Sequence, residues 1–301
     1  MKGLHNIQQL TVDKIHHILD LAKIRKQNSK PLLEQHLIGL LFLERSTRTR
    51  CSFELAARRT GADVISLEEI NSSIGKGETA LDTCKTLVAL GITAIVLRTS
   101  NDGDVLKTSR CGVPIINAGE GTSSHPTQGL LDAQTLLDYF NGSISGKTFG
   151  IVGDILHSRV AKSDISVLTA LGANIILVGP ESLVPDNLKN QKLVDGASGK
   201  ISIERDLDSL LSSIDGLIML RVQFERQANI ENDYILKYQL DKSRFEKMSN
   251  LAPVLHPGPV NRGIEIVNEV ADNLDRSLIL QQVSNGIPVR EAVLIYSLDV
   301  I

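Results

Sequence analysis

The sequence predicts an α/β protein of two lobes, each with a mainly parallel sheet flanked by helices, and three observations support this prediction. The chain has 301 residues, which is enough for about two domains of ordinary size. Short apolar runs that are typical of buried strands alternate with segments of helical periodicity. A glycine- and serine-rich break at residues 141–146 divides these elements into two series.

The first series starts with a helix over residues 12–24, where apolar side chains recur at helical spacing. An uninterrupted apolar run at residues 37–43 then predicts a buried strand. The same patterns predict strands at 63–67 and 94–97 and helices at 79–90 and 126–140. Because parallel strands need crossover connections, this order favours a parallel sheet.

The second series repeats the alternation. Its predicted strands lie at residues 148–152, 174–178 and 216–220, and its predicted helices at 160–171 and 207–214. Polar residues 186–200 are interpreted as a surface segment. A last helix is expected over residues 288–298, where it could pack on either lobe.

The composition argues against a nucleic-acid or membrane partner. Lys and Arg number 32 against 35 Asp and Glu, so no overall positive charge attracts nucleic acid or anionic lipid. No apolar run approaches the roughly 18 residues that span a bilayer, and no signal-peptide core opens the chain, so we expect a cytoplasmic protein. Cys51, Cys84 and Cys111 are expected to pack as reduced thiols. No metal site is expected, because ligand spacing is absent.

The strongest local signal is the segment 44–54, where hydroxyls and arginines open a predicted helix directly after a buried strand. Ser46 or Thr47 could cap this helix, and Arg48 could supply a bidentate fork. A helix N-terminus offers unpaired N–H groups and partial positive charge, so this turn predicts a phosphate cradle. The alternative is a capped helix with solvated arginines.

Further arginines follow predicted strands in both halves of the chain. Arg98 comes directly after the strand 94–97, while Arg159 and Arg221 follow strands of the second series. Ligands of open α/β sheets bind beyond the carboxyl ends of the strands. Two anionic ligands that meet in one cleft are therefore predicted, although solvated surface arginines are the alternative.

Three other motifs fall near this predicted cleft. In the segment 125–128, a proline fixes a helix start and leaves the imidazole of His125 and the amide of Gln128 at the lobe boundary. In the segment 72–78, Lys76 stands between two glycines. This segment could be a ligand-binding loop or simply a flexible surface loop. It lacks the glycine and lysine spacing of a Walker nucleotide-binding loop. The segment 255–259 is a proline-stiffened turn with carbonyls held in fixed directions.

These motifs, in this order and over nearly the whole chain, resemble the catalytic chains of the aspartate carbamoyltransferase family. Ornithine carbamoyltransferases share several of them, but typically carry a His-Cys-Leu-Pro turn where this chain has His256-Pro257-Gly258-Pro259. Arginines at positions 159 and 221 also suit a dicarboxylate better than a cationic amino acid. One departure is Thr99, which stands after Arg98 where many family members have histidine.

The resemblance implies transfer of the carbamoyl group from carbamoyl phosphate to the α-amine of L-aspartate, in de novo pyrimidine biosynthesis. It implies a carbamoyl-phosphate domain of residues 1–138, completed by a C-terminal helix of about 285–301 that returns to it, and an aspartate domain of residues 139–284. No cofactor is implied. The implied assembly is a homotrimer with shared active sites, and regulatory or dihydroorotase subunits could join it.

The resemblance also implies a role for each motif residue. Phosphate would be held by Ser46, Thr47, Arg48 and Thr49, assisted by Ser73 and Lys76 of the neighbouring subunit. Ser72 is the alternative to Ser73.

The remaining implied roles concern the carbonyl and the amino acid. Arg98, His125 and Thr49 would polarise the carbamoyl oxygen, and Gln128 would hold the carbamoyl amide. The aspartate carboxylates would bind Arg159, Arg221 and Gln223, and backbone carbonyls would come from Pro257, Gly258 and Pro259.

Three rival hypotheses compete with this one. Transfer to ornithine or N-acetylornithine is the competing reaction. A non-catalytic scaffold is disfavoured because Arg48, Lys76, Arg98 and His125 are all present. A nicotinamide-dependent dehydrogenase is disfavoured because no Gly-x-Gly-x-x-Gly follows a first strand.

Overall fold

Two parallel sheets organise the protein, whose computed structural model describes residues 3–28, 30–68, 77–222 and 231–300. The first sheet has four strands in the order β2-β1-β3-β4, and the second has five in the order β7-β6-β5-β8-β9. All strand pairs of both sheets are parallel. The predicted α/β fold of two lobes is confirmed.

The first lobe alternates strands with helices, starting from a helix. Its strands are β1 (Leu37–Phe42), β2 (Asp63–Glu68), β3 (Ala94–Thr99) and β4 (Ile115–Glu120). Its helices are α1 (Val12–Gln27), α2 (Thr47–Arg59), α3 (Ala80–Ala89), α4 (Asp104–Thr108) and α5 (Pro126–Tyr139). Each predicted element of this lobe is present, with ends that differ by a few residues.

The second lobe repeats the pattern with shorter elements. Its strands are β5 (Thr148–Val152), β6 (Asn174–Val178), β7 (Ile201–Glu204), β8 (Gly216–Met219) and β9 (Val254–Leu255). Its helices are α6 (Arg159–Ala170), α7 (Leu207–Leu210), α8 (Glu231–Tyr238), α9 (Lys242–Lys247) and α10 (Asn268–Ala271). The helix predicted over 207–214 is wrong in extent, because only its first turn forms.

The last helix, α11 (Ile279–Ser297), returns to the first lobe and packs on α1, α2 and α5. The sequence pattern predicted this helix over residues 288–298 only. This start is wrong, since Pro288 lies inside the helix. Side-chain hydrogen bonds from Gln282 to Asp132 and from Asn285 to Thr135 anchor the preceding turns and offset the missing backbone hydrogen bond.

Strands β4, β7 and β9 were not predicted. In β4 only the first two residues, Ile115 and Ile116, form an apolar run, and Gly119 adopts a φ of 117°. The register of β3 and β4 shifts at this point. Short and irregular strands of this kind give no period-2 signal.

The expectation that all three cysteines pack in the interior was wrong for Cys51, which is exposed.

Two apolar clusters support the sheets. The larger one is continuous from the helices α1, α2 and α11 of the first lobe into the core of the second lobe. The smaller one fills the other face of the first sheet beneath α3 and α4. Where α5 crosses α6, a Cβ on Gly129 would lie 2.9 Å from the backbone of Ser163, so glycine permits this approach of the two lobes. None of the described helices combines the length and apolarity needed to cross a membrane.

A buried ion pair fastens α11 to α1. The Nε of Arg25 lies 2.7 Å from Oε2 of Glu291, and the two side chains are 3% and 0% exposed. Arg59 approaches the other carboxylate oxygen at 3.1 Å from a more exposed position. Removing one partner of a buried pair leaves a desolvated charge, which costs more than the pair itself contributes.

Arg25→Ala is therefore expected to lower the free energy of unfolding by about 3 kcal/mol, the lower end of the usual range because Arg59 still contacts Glu291. Urea unfolding followed by circular dichroism measures the change. The matched control is Arg262→Ala, which removes an exposed ion pair with Asp272 and should alter stability little. Equal effects of the two substitutions would contradict this account.

Candidate active site

The candidate site is a cleft of about 640 Å³ between the two lobes. It lies at the edge of the first sheet where β1 and β3 end and where α2 and α5 begin. The sequence-predicted residues that line it are Ser46, Thr47, Arg48, Thr49, Arg98, His125, Gln128, Arg159, Arg221, Pro257, Gly258 and Pro259. Ser72, Ser73, Lys76 and Gln223 were also predicted, and they lie outside the described residues.

The N-terminus of α2 opens into this cleft. Ser46 is the N-cap residue, with an extended backbone (φ −160°, ψ 94°), but its hydroxyl makes no capping hydrogen bond to a described residue. The expectation that a hydroxyl caps this helix is wrong for Ser46. First-turn N–H groups without a side-chain partner can instead donate to a bound anion, for which the helix dipole adds attraction.

Arg48 packs against the turn that crosses the cleft from the second lobe. A Cβ on Gly258, which has a φ of 68°, would lie 3.0 Å from the guanidinium carbon of Arg48. Burial lowers the pKa of Arg48, which remains a cation. Because Arg48 has no hydrogen-bond or ion-pair partner within the described ranges, its charge is available to a ligand.

Arg98 is a buried cation of the cleft and is 7% exposed. One guanidinium nitrogen donates to the carbonyl of Ala118 at 3.0 Å. The irregularity of β4 makes room for it, since a Cβ on Gly119 would collide with this nitrogen. Burial, reinforced by the charge of Arg159, lowers the pKa of Arg98 to about 10, so the guanidinium stays charged at neutral pH.

Glu44 joins the arginines of the two lobes. Its carboxylate accepts from Arg98 at 3.1 Å through both oxygens, and from Arg159 at 2.9 and 3.0 Å. Burial raises the pKa of Glu44, but the hydrogen bonds and charges of Arg159 and Arg98 outweigh burial and bring this pKa below its ordinary value. Both bonds are thus bidentate and charge-assisted, the strongest protein hydrogen-bond geometry.

Sequence reasoning did not assign Glu44 a role, although it opens the segment 44–54. The signal that could have found it is charge complementarity. A lone carboxylate that follows a buried strand, at the edge where Arg98 also emerges, needs a cationic partner. The structure supplies two such partners, one from each lobe.

His125 lies at the start of α5 with a side chain that is buried from solvent. Its backbone N–H donates to Ser163 of α6 at 2.9 Å, and its Nδ1 has no partner in the described part of the chain. Burial, together with the charges of Arg98, Arg159 and Arg290, lowers the pKa of His125 well below its ordinary value. The imidazole is therefore neutral.

In the second lobe, hydrogen bonds of Ser158 and His256 fix the backbone next to residues that face the cleft. The hydroxyl of Ser158 caps α6 by accepting from the N–H of Ala161, which sets Arg159 at the first position of the helix. The Nδ1 of His256 accepts from the N–H of Gly258 at 2.9 Å, so Nε2 carries the proton and donates to Glu265 at 3.0 Å. This buried chain of hydrogen bonds fixes the direction of the turn at Pro257.

Thr99, the departure from the family pattern, does not line the cleft. Its hydroxyl donates to Asp104 at 2.8 Å and accepts from the N–H of Asn101. Its neighbour Arg98 points the other way, into the cleft, because successive residues of a strand face opposite sides. The substitution at position 99 therefore changes the support of α4 and not the lining of the site.

The arrangement suits two small anions. Six arginines of the described residues line the cleft, at positions 45, 48, 98, 159, 221 and 290. Two of them, Arg98 and Arg159, share the carboxylate of Glu44. No group of three or more His, Cys, Asp or Glu side chains that could hold a metal occurs in the described ranges. The site therefore offers fixed positive charge, helix N–H groups and a neutral imidazole.

Comparisons with known proteins identify relatives along almost the entire chain. Residues 2–138 match the family described as "Aspartate/ornithine carbamoyltransferase, carbamoyl-P binding domain". Residues 145–297 match "Aspartate/ornithine carbamoyltransferase, Asp/Orn binding domain". The aspartate carbamoyltransferase catalytic subunit of Solibacter usitatus is 45% identical over 302 residues, which cover 97% of each chain. That of Myxococcus xanthus is 42% identical over 304 residues, covering 98% of each chain.

Solved structures of both substrate classes share the fold. Aspartate transcarbamoylase from Trypanosoma cruzi, in complex with carbamoyl phosphate and aspartate, gives a TM-score of 0.87 at 28% identity and covers 98% of this chain and 95% of that one. Ornithine carbamoyltransferase from Pyrococcus furiosus gives 0.89 at 28% identity and covers 100% and 98%. The backbone therefore does not distinguish the two substrates.

Because the pKa of His125 is depressed, its ring should not titrate between about pH 6 and 9. NMR of histidine-labelled protein, with the signal assigned from a His125→Gln variant, measures this directly. In the urea-unfolded chain the ring should titrate near about 6.5. Below about pH 6.5 the unfolded state therefore binds a proton at His125 that the folded state does not bind. The free energy of unfolding consequently decreases as the pH drops below that value. A native titration near neutrality would contradict the assignment.

Proposed function

Because the chain belongs to the aspartate/ornithine carbamoyltransferase family, we propose that the cleft between its lobes is the active site for its reaction. The reaction transfers the carbamoyl group of carbamoyl phosphate to the α-amine of L-aspartate and yields N-carbamoyl-L-aspartate and phosphate. The observation that carries the location of the site is the convergence of arginines from both lobes on one cleft.

The charge of the cleft favours aspartate over ornithine. Arg159 and Arg221 line its second-lobe side, where they suit the two carboxylates of aspartate. The cationic side chain of ornithine would be repelled there. Both arginines belong to the second lobe, whereas the α2 N-terminus, the phosphate site of our proposal, belongs to the first.

Carbamoyl phosphate binds at the N-terminus of α2. Its phosphate accepts from first-turn N–H groups and from Ser46, Thr47 and Thr49, while Arg48 adds a bidentate contact. Lys76 of a neighbouring subunit completes the charge in this proposal. The same cations stabilise phosphate as it leaves.

The carbamoyl carbonyl binds deeper in the cleft. Arg98 and the neutral imidazole of His125 donate to its oxygen, which becomes negative as the amine attacks. One such donor contributes about 3 kcal/mol to transition-state stabilisation. A neutral imidazole suits this role because it donates without adding a further cation beside Arg98 and Arg159.

Orientation supplies most of the remaining rate enhancement. The α-amine of aspartate, as the free base, attacks the carbonyl carbon and forms a tetrahedral intermediate, which expels phosphate without a covalent enzyme intermediate. Holding two reactants that repel each other in an attack geometry is worth about 7–11 kcal/mol. Arg159, Arg221 and Gln223 orient the aspartate, and the carbonyls of the turn 257–259 accept from the amine.

The site is completed by a second copy of the chain. β2 is an edge strand of the first sheet. Ile65 of this strand and Leu55 of α2 are 40% and 48% exposed. Covering these side chains would stabilise an interface with another copy of the chain. We propose a homotrimer in the cytoplasm, where the exposed thiol of Cys51 suits a reducing compartment. Association with regulatory or dihydroorotase subunits stays a prediction of the resemblance.

Incubation with carbamoyl phosphate and L-aspartate should give N-carbamoyl-L-aspartate, identified by mass spectrometry. Ornithine in place of aspartate should give no citrulline. Arg221→Ala should weaken aspartate binding about 10- to 100-fold, because a charge-assisted hydrogen bond is lost. Its affinity for inorganic phosphate, bound by the other lobe, should remain. Citrulline formation, or normal aspartate binding by Arg221→Ala, would overturn these assignments.

Mixing two inactive variants tests the shared site. Lys76→Ala and Arg98→Ala each remove one part of every site in a uniform trimer, so each alone should be strongly impaired. Reassembly of the mixture after mild dissociation should restore part of the activity, because some sites then contain both wild-type residues. Sedimentation equilibrium checks that the mixed species is a trimer. Absence of any recovery in a verified mixed trimer would contradict sharing.

A further inference from the structure

A pair of buried carboxyl groups lies beneath the cleft and has no part in the reaction described above. Asp132 belongs to α5 and Asp164 to α6, and both side chains are 0% exposed. The two helices pack directly on each other where the lobes meet. Burying two carboxyl groups is costly unless their hydrogen bonds compensate, so the contacts of the pair indicate what it does.

One oxygen of Asp132 holds two glutamine amides. Oδ1 accepts from Nε2 of Gln128 at 3.0 Å and from Nε2 of Gln282 at 2.6 Å. The other end of Gln282 accepts from the backbone N–H of His256 at 2.9 Å. Asp132 therefore connects the glutamine of the cleft with the turn that closes it from the second lobe.

The carboxyl groups of Asp132 and Asp164 interact with each other. Two carboxyl groups can hydrogen-bond only when one of them is protonated, because an ionised carboxylate cannot donate. Within the described residues, Oδ2 of Asp132 and both oxygens of Asp164 have no other donor. Burial, with the charge of Asp132, raises the pKa of Asp164 well above its ordinary value. Burial also raises the pKa of Asp132, to about 7. Two amide N–H groups nevertheless donate to Asp132, and none of the described groups donates to Asp164, so we place the proton on Asp164 and leave Asp132 as the acceptor.

An acceptor at this position fixes the orientation of the Gln128 amide. The nitrogen of Gln128 is directed at Asp132, so the oxygen of the same planar amide is directed away from it. Gln128 lines the cleft, and its oxygen has no hydrogen-bond donor among the described side chains. That oxygen can accept from a substrate N–H and cannot donate.

We propose that the Asp132–Asp164 pair is a positioning device that keeps the Gln128 oxygen facing the substrate, so that the site selects an acyl phosphate whose acyl group carries an NH₂. This inference rests on the proposed function, because it concerns the same cleft. A carbamoyl group satisfies the oxygen with its amine. An acetyl group has a methyl in place of the NH₂ and would leave the Gln128 oxygen without a donor. Acetyl phosphate should therefore bind more weakly than carbamoyl phosphate.

Asp132→Leu and Asp132→Asn form the matched test. Leucine removes the acceptor and frees the Gln128 amide to rotate. Asparagine keeps an accepting oxygen for both glutamines, and its nitrogen can donate to Asp164. The readout is selectivity, measured as the inhibition constant of acetyl phosphate, competing with carbamoyl phosphate, divided by the KM of carbamoyl phosphate.

This ratio should fall about tenfold in Asp132→Leu, the equivalent of one hydrogen bond, and should stay near the wild-type value in Asp132→Asn. Inhibition by inorganic phosphate should be unchanged in both, since phosphate is bound by α2. A general loss of structure would weaken all three ligands and would not move the ratio alone. If Asp132→Leu does not fold, as judged by circular dichroism, Asp132→Ala replaces it.

An unchanged ratio in a folded leucine or alanine variant would overturn the inference, as would an asparagine variant that loses as much selectivity. Failure of the wild-type protein to form N-carbamoyl-L-aspartate would instead overturn the proposed function. The two failures are therefore distinguishable in one set of assays.

Discussion

The carboxylate of Glu44 is the constraint on which the cleft depends. Guanidinium groups repel one another, and burial of Arg98 strengthens this repulsion by removing water. One carboxylate that bonds both Arg98 and Arg159 in bidentate geometry offsets the repulsion at the point where the lobes face each other. Its two partners belong to different lobes, so the interaction also sets the distance between them. A bound anion would compete with Glu44 for these cations, which couples occupancy of the cleft to the contact between the lobes.

A second layer of polar contacts supports the first from below. Asp132, Asp164 and Gln282 touch no substrate in our account, yet they determine which way Gln128 faces and how the turn at His256 is held. Buried polar networks are favourable only when every member is satisfied. In our proposal a proton on Asp164 completes the network, to which the helices α5, α6 and α11 each contribute a member. The contact of the lobes is therefore specified by hydrogen bonds as well as by apolar packing.

The sequence predicted the strands of the first sheet that are long and apolar, such as β1 and β3, because burial on both faces leaves an uninterrupted apolar run. It did not predict β4. Gly119 of this strand leaves room for the side chain of Arg98, and this requirement comes from the neighbouring strand β3, so it is not visible in the local sequence. Motif residues such as Arg48, His125 and Arg159 could be found because their residue types and positions at strand or helix ends carry meaning. Asp164 could not, because it acquires its role only through partners distant in sequence. The only sequence signal for Glu44 is its charge complementarity with Arg98 at the same edge of the sheet. The predicted start of α11 was wrong for a related reason. Tertiary contacts keep this helix continuous through Pro288, although proline is most common in a first helical turn.

The return of α11 to the first lobe has a consequence for biosynthesis. Domains usually fold in order as they leave the ribosome, but the apolar faces of α1 and α2 are covered by a helix that is translated only after the whole second lobe. The ion pair between Arg25 and Glu291 also cannot form before α11 has been synthesised. The nascent first lobe therefore exposes a hydrophobic groove during most of its synthesis, and this groove is a natural substrate for chaperones that bind unfinished chains.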